Sequence, residues 1–138
     1  MKVVLGIGCD RNASSEGMCQ AIRHALGAVG LSPEDVEAVA TIDRKADEPA
    51  LVEVCRRFGW PLSCYPAERL KEVEVPNPSP TVMKYVGTPS VGEAAAILRA
   101  GGDQRALLLE KYKYRDAAGK HVTVSICRVP QARSGGVP

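Results

Sequence analysis

The stretch whose reading decides the fold is VVLGIGCDRNASSEGM, Val3 to Met18. Val3 to Ile7 is an apolar run interrupted only by Gly6, the pattern of a strand buried on both faces in a parallel sheet. A polar turn follows. Ser14 or Ser15 then offers an N-cap, with Glu16 in the first turn to complement the helix dipole. Met18, Ala21, Ile22, Ala25, Leu26 and Val29 recur at three-and-four spacing, which predicts a helix capped at its C-terminus by Gly30.

Outward from this corner the alternation continues. Ser32-Pro33-Glu34-Asp35 predicts a short helical turn, because proline suits a first helical position, and residues 36–42 predict a second strand. Asp47-Glu48-Pro49 opens a helix that runs through Phe58 and closes at Gly59. Residues 62–65 predict a short third strand and residues 66–70 a brief helix. Three prolines within residues 75–80 predict an extended or turning loop, and residues 81–86 a short helix. After a tight corner at 87–90, residues 91–100 read as an alanine-rich helix stopped by Gly101-Gly102. Residues 106–112 and 121–129 read as strands whose short spacing demands an antiparallel hairpin. The pattern predicts an α/β fold: a three-layer α/β/α sandwich with a mixed, mostly parallel sheet ending in an antiparallel hairpin. Residues 1–130 are expected to form a single domain and residues 131–138 a flexible tail.

Composition narrows the function. The 138 residues, 45% of them apolar, can bury one substantial core. Aromatics make up only 4%, so the core must be mainly aliphatic, and stacking platforms for nucleic acid are not expected. A net charge of +2 with scattered basic residues lacks the patch or stripe of a nucleic-acid binder. Membrane partners are excluded on similar grounds: no apolar run approaches the ~20 residues of a membrane span. The start MKVVLGIGCD reaches glycine and aspartate rather than a signal-peptide core, so a cytoplasmic location is expected. Five cysteines without a C-x-x-C pair signal neither a disulfide framework nor a zinc site. His24 and His121 stand near no set of ligand-spaced residues, so no metal is expected.

In such folds the ligand crevice lies beyond the carboxyl ends of the parallel strands. That rule selects loop 8–16, loop 43–48, the loop leading toward Asn77, and the corner 87–90. In the first, Gly6 and Gly8 permit close backbone approach and the N–H groups of a helix start attract anions; the alternative is glycines that only turn the chain. There is no P-loop and no third glycine of a dinucleotide fingerprint, so no cofactor is expected. Cys9 is either a packed thiol or, if it faces a helix N-terminus or Lys45, a nucleophile. Asp43 and Lys45 can bind a polar substrate or exchange protons, whereas Asp47 and Glu48 read as helix caps. Ser90 and Glu93 have the spacing of a capping box, which leaves N–H groups to receive a carboxylate. Lys111 and Lys113 should share one strand face, and Tyr112 and Tyr114 the other.

Five motifs stand in order along the chain: Gly6-Ile7-Gly8-Cys9, Ser15-Glu16, Ala40-Thr41-Ile42-Asp43 continuing through Lys45 to Pro49, Val75-Pro76-Asn77-Pro78-Ser79, and Gly87-Thr88-Pro89-Ser90-Val91 continuing through Glu93 to Ala96. Together they resemble the cobalamin-biosynthesis family CbiG/CobE, and within it the C-terminal domain of CbiG that also exists as stand-alone CobE. The resemblance implies a role in building the corrin ring. Full-length CbiG is a cobalt-precorrin-5A hydrolase that opens a ring-side lactone and releases acetaldehyde; for CobE, tetrapyrrole binding has been proposed. The implied partner is a tetrapyrrole intermediate, a precorrin or corrinoid, and a further partner class is the other cobalamin-pathway enzymes. A precorrin bears many carboxylates, so its binding surface should offer lysines and helix N-termini. The implied binding set is Gly6, Gly8, Cys9, Ser15, Glu16, Thr41, Asp43, Lys45, Asn77, Gly87, Thr88, Ser90, Val91 and Glu93. If the domain takes part in hydrolysis, Asp43 is the expected base, Lys45 and Cys9 are the other catalytic candidates, and N–H groups near Thr88 and Ser90 are the oxyanion donors.

Overall fold

The computed structural model describes residues 1–73 and 91–130. The elements are β1 (Val3–Cys9), α1 (Ser15–Ala28), β2 (Val36–Ile42), α2 (Pro49–Phe58), β3 (Leu62–Tyr65), α3 (Ala67–Leu70), α4 (Val91–Ala100), β4 (Leu107–Arg115) and β5 (His121–Arg128). They arise where the local chemistry calls for them. Ser14 caps α1 by accepting the Gly17 N–H at 2.9 Å. Gly30 and Gly59 take φ of +74° and +75° behind α1 and α2, a backbone that glycine adopts without steric cost. Ser32 and Asp35 close a capping box over the 3-10 turn Pro33–Asp35.

The sheet order is β3-β2-β1-β5-β4. β1 pairs parallel with β2, and β2 with β3, while β5 pairs antiparallel with both β1 and β4. β4 therefore runs with β1, β2 and β3, and β5 alone opposes them. The sheet is mixed and mostly parallel in direction, with the expected hairpin at its end. β4 continues three residues past the expected Tyr112, because the alternation goes on. Tyr112 and Tyr114 pack on the α1 side, edge-on to the His24 ring at centroid distances of 6.3 and 5.6 Å. Where register slips between Leu109 and Tyr112, the Ser125 hydroxyl donates to the Glu110 carbonyl.

Helices cover both faces, giving the three layers. α1 and α2 pack through Met18, Ile22, Leu26, Leu51 and Val54 onto Leu5, Ile7, Val39 and Val124. α3 and α4 pack on the opposite face, where Ala94, Ala95, Ala96 and Ile97 meet Val4, Ala38, Ala40 and Cys127. Among the described residues no helix is long and apolar enough to cross a membrane. The expected helix at 81–86, the proline loop and the tail at 131–138 lie outside the described residues.

Candidate functional site

The carboxyl ends of β1 and β2 bring loops 10–14 and 43–48 side by side, and one buried carboxylate joins them. Glu48 stands at the N-cap of α2 but makes no capping bond to it. Its side chain, 1% exposed, turns the other way. Glu48 Oε2 accepts the Asn12 N–H at 3.0 Å, and Glu48 Oε1 lies 3.7 Å from Nη1 of Arg11. Nη2 of Arg11 also donates to the Arg44 carbonyl at 3.5 Å. Asn12 sits at φ +65°, a left-handed backbone that asparagine tolerates better than most residues.

Cys9 is half-buried at the end of β1, beside these groups. Burial pushes its thiol up to about 11; Glu48 and Asp10 add to the rise, while Lys45 and Arg11 oppose it. At neutral pH it is a neutral thiol. Lys45 is half-buried and Asp43 exposed, both on the 3-10 turn Asp43–Lys45. Asp43 lies toward β3, where its charge acts on Cys64. Thr41 is fully buried, and its hydroxyl donates to the Ile7 carbonyl at 2.7 Å, so it ties β2 to β1.

The start of α1, expected as an anion cradle, already receives a carboxylate from this chain. Asp116, in the β4–β5 turn, accepts through Oδ2 from the Ser14 N–H at 3.3 Å and the Ser14 hydroxyl at 3.4 Å. Its Oδ1 accepts from the Lys120 N–H at 2.8 Å and the Ala118 N–H at 3.0 Å. The Lys120 bond foremost, then those of Ser14 and Ala118, hold this carboxyl below the ordinary value of 3.8. Gly17 makes the approach possible, since a Cβ there would stand 2.6 Å from that of Asp116. Ser15 is half-buried and Glu16 exposed at this helix start. A second clasp joins Asp10 to His121, whose N–H and Nδ1 lie 2.8 and 3.1 Å from Asp10 Oδ2. The His121 backbone N–H foremost, then its ring, lowers the Asp10 pKa.

On the other face, a Cβ built on Gly6 would overlap the Gly92 carbonyl oxygen. The close backbone approach expected at Gly6 is thus made by α4. Gly8 faces Thr123, whose hydroxyl donates to the Gly8 carbonyl at 3.4 Å. Glu93 is fully buried with Oε1 3.6 Å from the Lys111 ammonium, and Val91 is half-buried. The fold therefore gathers Gly8, Cys9 and Lys45, sets Asp43 further along the same edge, and buries Gly6, Thr41 and Glu93 in packing. Asn77, Gly87, Thr88 and Ser90 lie outside the described residues.

Sequence reasoning missed Arg11 and Asp116 and read Glu48 only as a cap. The one available signal was a second acid beside Asp47, one more than a helix start requires. A cavity of about 570 Å³ lies elsewhere, lined by Val73, Leu98, Gly102 and Arg105 among others, and touches none of the described site residues.

Comparison with known proteins places this geometry in a family. The family described as "Cobalamin synthesis G C-terminus" matches residues 3–127. A cobalt-precorrin-5A hydrolase of Priestia megaterium is 33% identical over 93% of this chain, and the chain spans only 32% of that relative. The protein CobE of a Sinorhizobium species is 36% identical over 72% of this chain and 66% of its own length. The crystal structure of a CobE from the cobalamin pathway superposes with a TM-score of 0.78 at 28% identity, covering 92% of this chain and 93% of that one. The cobalamin biosynthesis protein chiG of Agrobacterium tumefaciens gives 0.65 at 30% identity, covering 94% and 99%. With residues 3–127 matched by the family and the fold shared with CobE, the chain belongs to the CbiG C-terminal and CobE family of cobalamin synthesis.

Proposed function

We propose that this cobalamin-biosynthesis protein binds an acidic tetrapyrrole intermediate of corrin assembly at the carboxyl rim of its sheet. The observation that carries the reading is that Arg11 reaches the Arg44 carbonyl at 3.5 Å, beside Lys45, so that two cations meet near the half-buried end of β1. Guanidinium and ammonium groups make charge-assisted bonds with carboxylates, and an intermediate with many acetate and propionate arms offers several at once. In this reading Gly8 and Cys9, at the end of β1, Ser15, at the start of α1, and Asp43, in the turn after β2, join the two cations in contacting the ligand. The motif positions Asn77, Gly87, Thr88 and Ser90 complete the proposed set.

Titration with hydrogenobyrinic acid, followed by visible absorbance and by Trp60 fluorescence, tests the reading. A saturable spectral shift that weakens in Lys45→Ala is expected. No change in either signal would overturn it and leave an interaction module for other pathway enzymes as the better account.

A second reading, participation in lactone hydrolysis, is favoured by the names of relatives such as the Priestia hydrolase, of which this chain spans about a third. Here Asp43 is the base for water, Lys45 the neighbouring cation, and Cys9 a weak nucleophile because it is held as the thiol. Release of acetaldehyde from cobalt-precorrin-5A by the isolated chain is the decisive assay, and silence there removes the reading for this chain alone.

A further inference from the structure

We infer that Glu48 is the positioning residue of the rim, fixing the 10–12 turn so that Arg11 is presented to a carboxylate of the ligand; this rests on the binding reading above. A wholly buried glutamate needs partners, because an uncompensated charge is costly away from water. Capping does not explain it, since Glu48 gives α2 no side-chain bond. Its two oxygens divide the work instead: Oε2 takes the Asn12 N–H, and Oε1 faces Arg11. Among the described residues Oε1 has no hydrogen-bond partner, so the 3.7 Å approach of Arg11 is the charge compensation it has there.

The asymmetry of the pair sets the direction of action. Glu48 is 1% exposed and Arg11 66% exposed, so the carboxylate is the anchor and the guanidinium the group that reaches solvent. Arg11 is also guided by the Arg44 carbonyl, next to Lys45, which brings the two cations to the same stretch of rim. A guanidinium has five N–H donors in a planar fork, and contacts with one carboxylate oxygen and one carbonyl leave donors for a second carboxylate. Asn12 at φ +65° lets the chain double back so that its N–H meets Glu48.

The test is a set of variants titrated with hydrogenobyrinic acid: Glu48→Ala, Glu48→Gln, Arg11→Ala, the double Glu48→Ala/Arg11→Ala, and Glu48→Ala/Asn12→Gly. Glu48→Ala and Arg11→Ala should each weaken binding about tenfold, the scale of one charge-assisted contact. The double variant should be no worse than Arg11→Ala alone, because residues acting through one contact are not additive. Glu48→Gln keeps an acceptor for the Asn12 N–H and should fall between wild type and Glu48→Ala, which also covers the case in which Glu48→Ala fails to fold. Additive losses in the double variant, or full recovery when Asn12→Gly relieves the backbone of Glu48→Ala, would overturn the inference. If the wild type does not bind the corrinoid, the binding reading falls, and citrate then tests Glu48 separately. A shift of the Arg11 Nε–H resonance on adding citrate to wild type, smaller in Glu48→Gln, sustains the positioning role, and an equal shift in both overturns it. No shift in wild type overturns it.

Discussion

The two faces of the sheet are packed by opposite means. Toward α1 and α2 the filling is large: Leu5, Ile7, Met18, Ile22, Leu26 and Leu51 are each 1% exposed or less. Toward α4 it is small: Gly6 and Gly92 meet backbone to backbone, flanked by Ala38, Ala40, Ala94, Ala95 and Ala96. Large side chains bury more area and can repack around a change. A glycine contact buries little and tolerates nothing, because backbone cannot rotate out of the way. Stability on the first face is a matter of volume, and on the second a matter of distance.

Gly6→Ala tests that difference most severely. Its methyl would overlap the Gly92 carbonyl oxygen, which no rotamer change relieves, so the loss should exceed the ~4–5 kcal/mol that marks exceptional substitutions. Leu51→Ala, on the other face, should cost about 2–5 kcal/mol, the range for emptying a buried leucine site. Urea denaturation of both variants checks the order, and a Gly6→Ala protein more stable than Leu51→Ala would break the comparison. Gly92→Ala sharpens it. Its Cβ would stand 3.2 Å from both the Gly6 carbonyl oxygen and the Ser125 hydroxyl, so a cost of about 1–3 kcal/mol is expected, typical of mild overpacking.

The α4 face also holds an ion pair with a fully buried member, Glu93. Lys111→Met removes the cation 3.6 Å from fully buried Glu93 and should destabilise by about 3 kcal/mol, as breaking one side of a buried pair does. Lys111→Met with Glu93→Met should recover part of that loss, since replacing both charges with apolar groups of similar size is less costly than removing one partner of a buried pair. Equal losses in the single and double variants, measured by urea titration, would mean that the pair contributes through packing alone.

The same contrast governs what was legible in the chain. β2, β3 and α4 were read with their observed bounds because each is a continuous apolar or alanine-rich run between clear breakers. The hairpin followed from spacing alone. Gly6 signalled only that a side chain is excluded; sequence could not say whether a ligand or a helix comes near, and the answer was α4. Glu48 and Asp116 were illegible for a different reason. The residues they hold, Asn12 and Ser14, lie 36 and 102 positions away, and no local pattern records a partner at that distance. Loop 43–48 could be nominated as a crevice because strand ends announce themselves, but the carboxylate that organises it looked like an ordinary cap.

The starts of the two long helices on opposite faces carry the comparison to its smallest expected effect. The first turn of α4 is backed by Gly6 and by Glu93, whereas α1 is sealed by Asp116 from the hairpin turn. Because N–H donors hold the Asp116 carboxyl below 3.8, the folded state favours its ionised form over the unfolded chain. The sign follows: a depressed carboxyl stabilises the fold fully above the unfolded value of 3.8, and that contribution fades as pH falls below it toward the folded value. Asp116→Asn keeps the shape of the side chain but cannot ionise, so it should be less stable than wild type at pH 6, and the gap should narrow as pH is lowered through 3.8 toward 2.5. Asp10, also depressed, is unchanged in both proteins and drops out of the difference. A gap that stays constant across that range would show that Asp116 seals α1 by shape, leaving charge at this helix start to be supplied by a ligand after all.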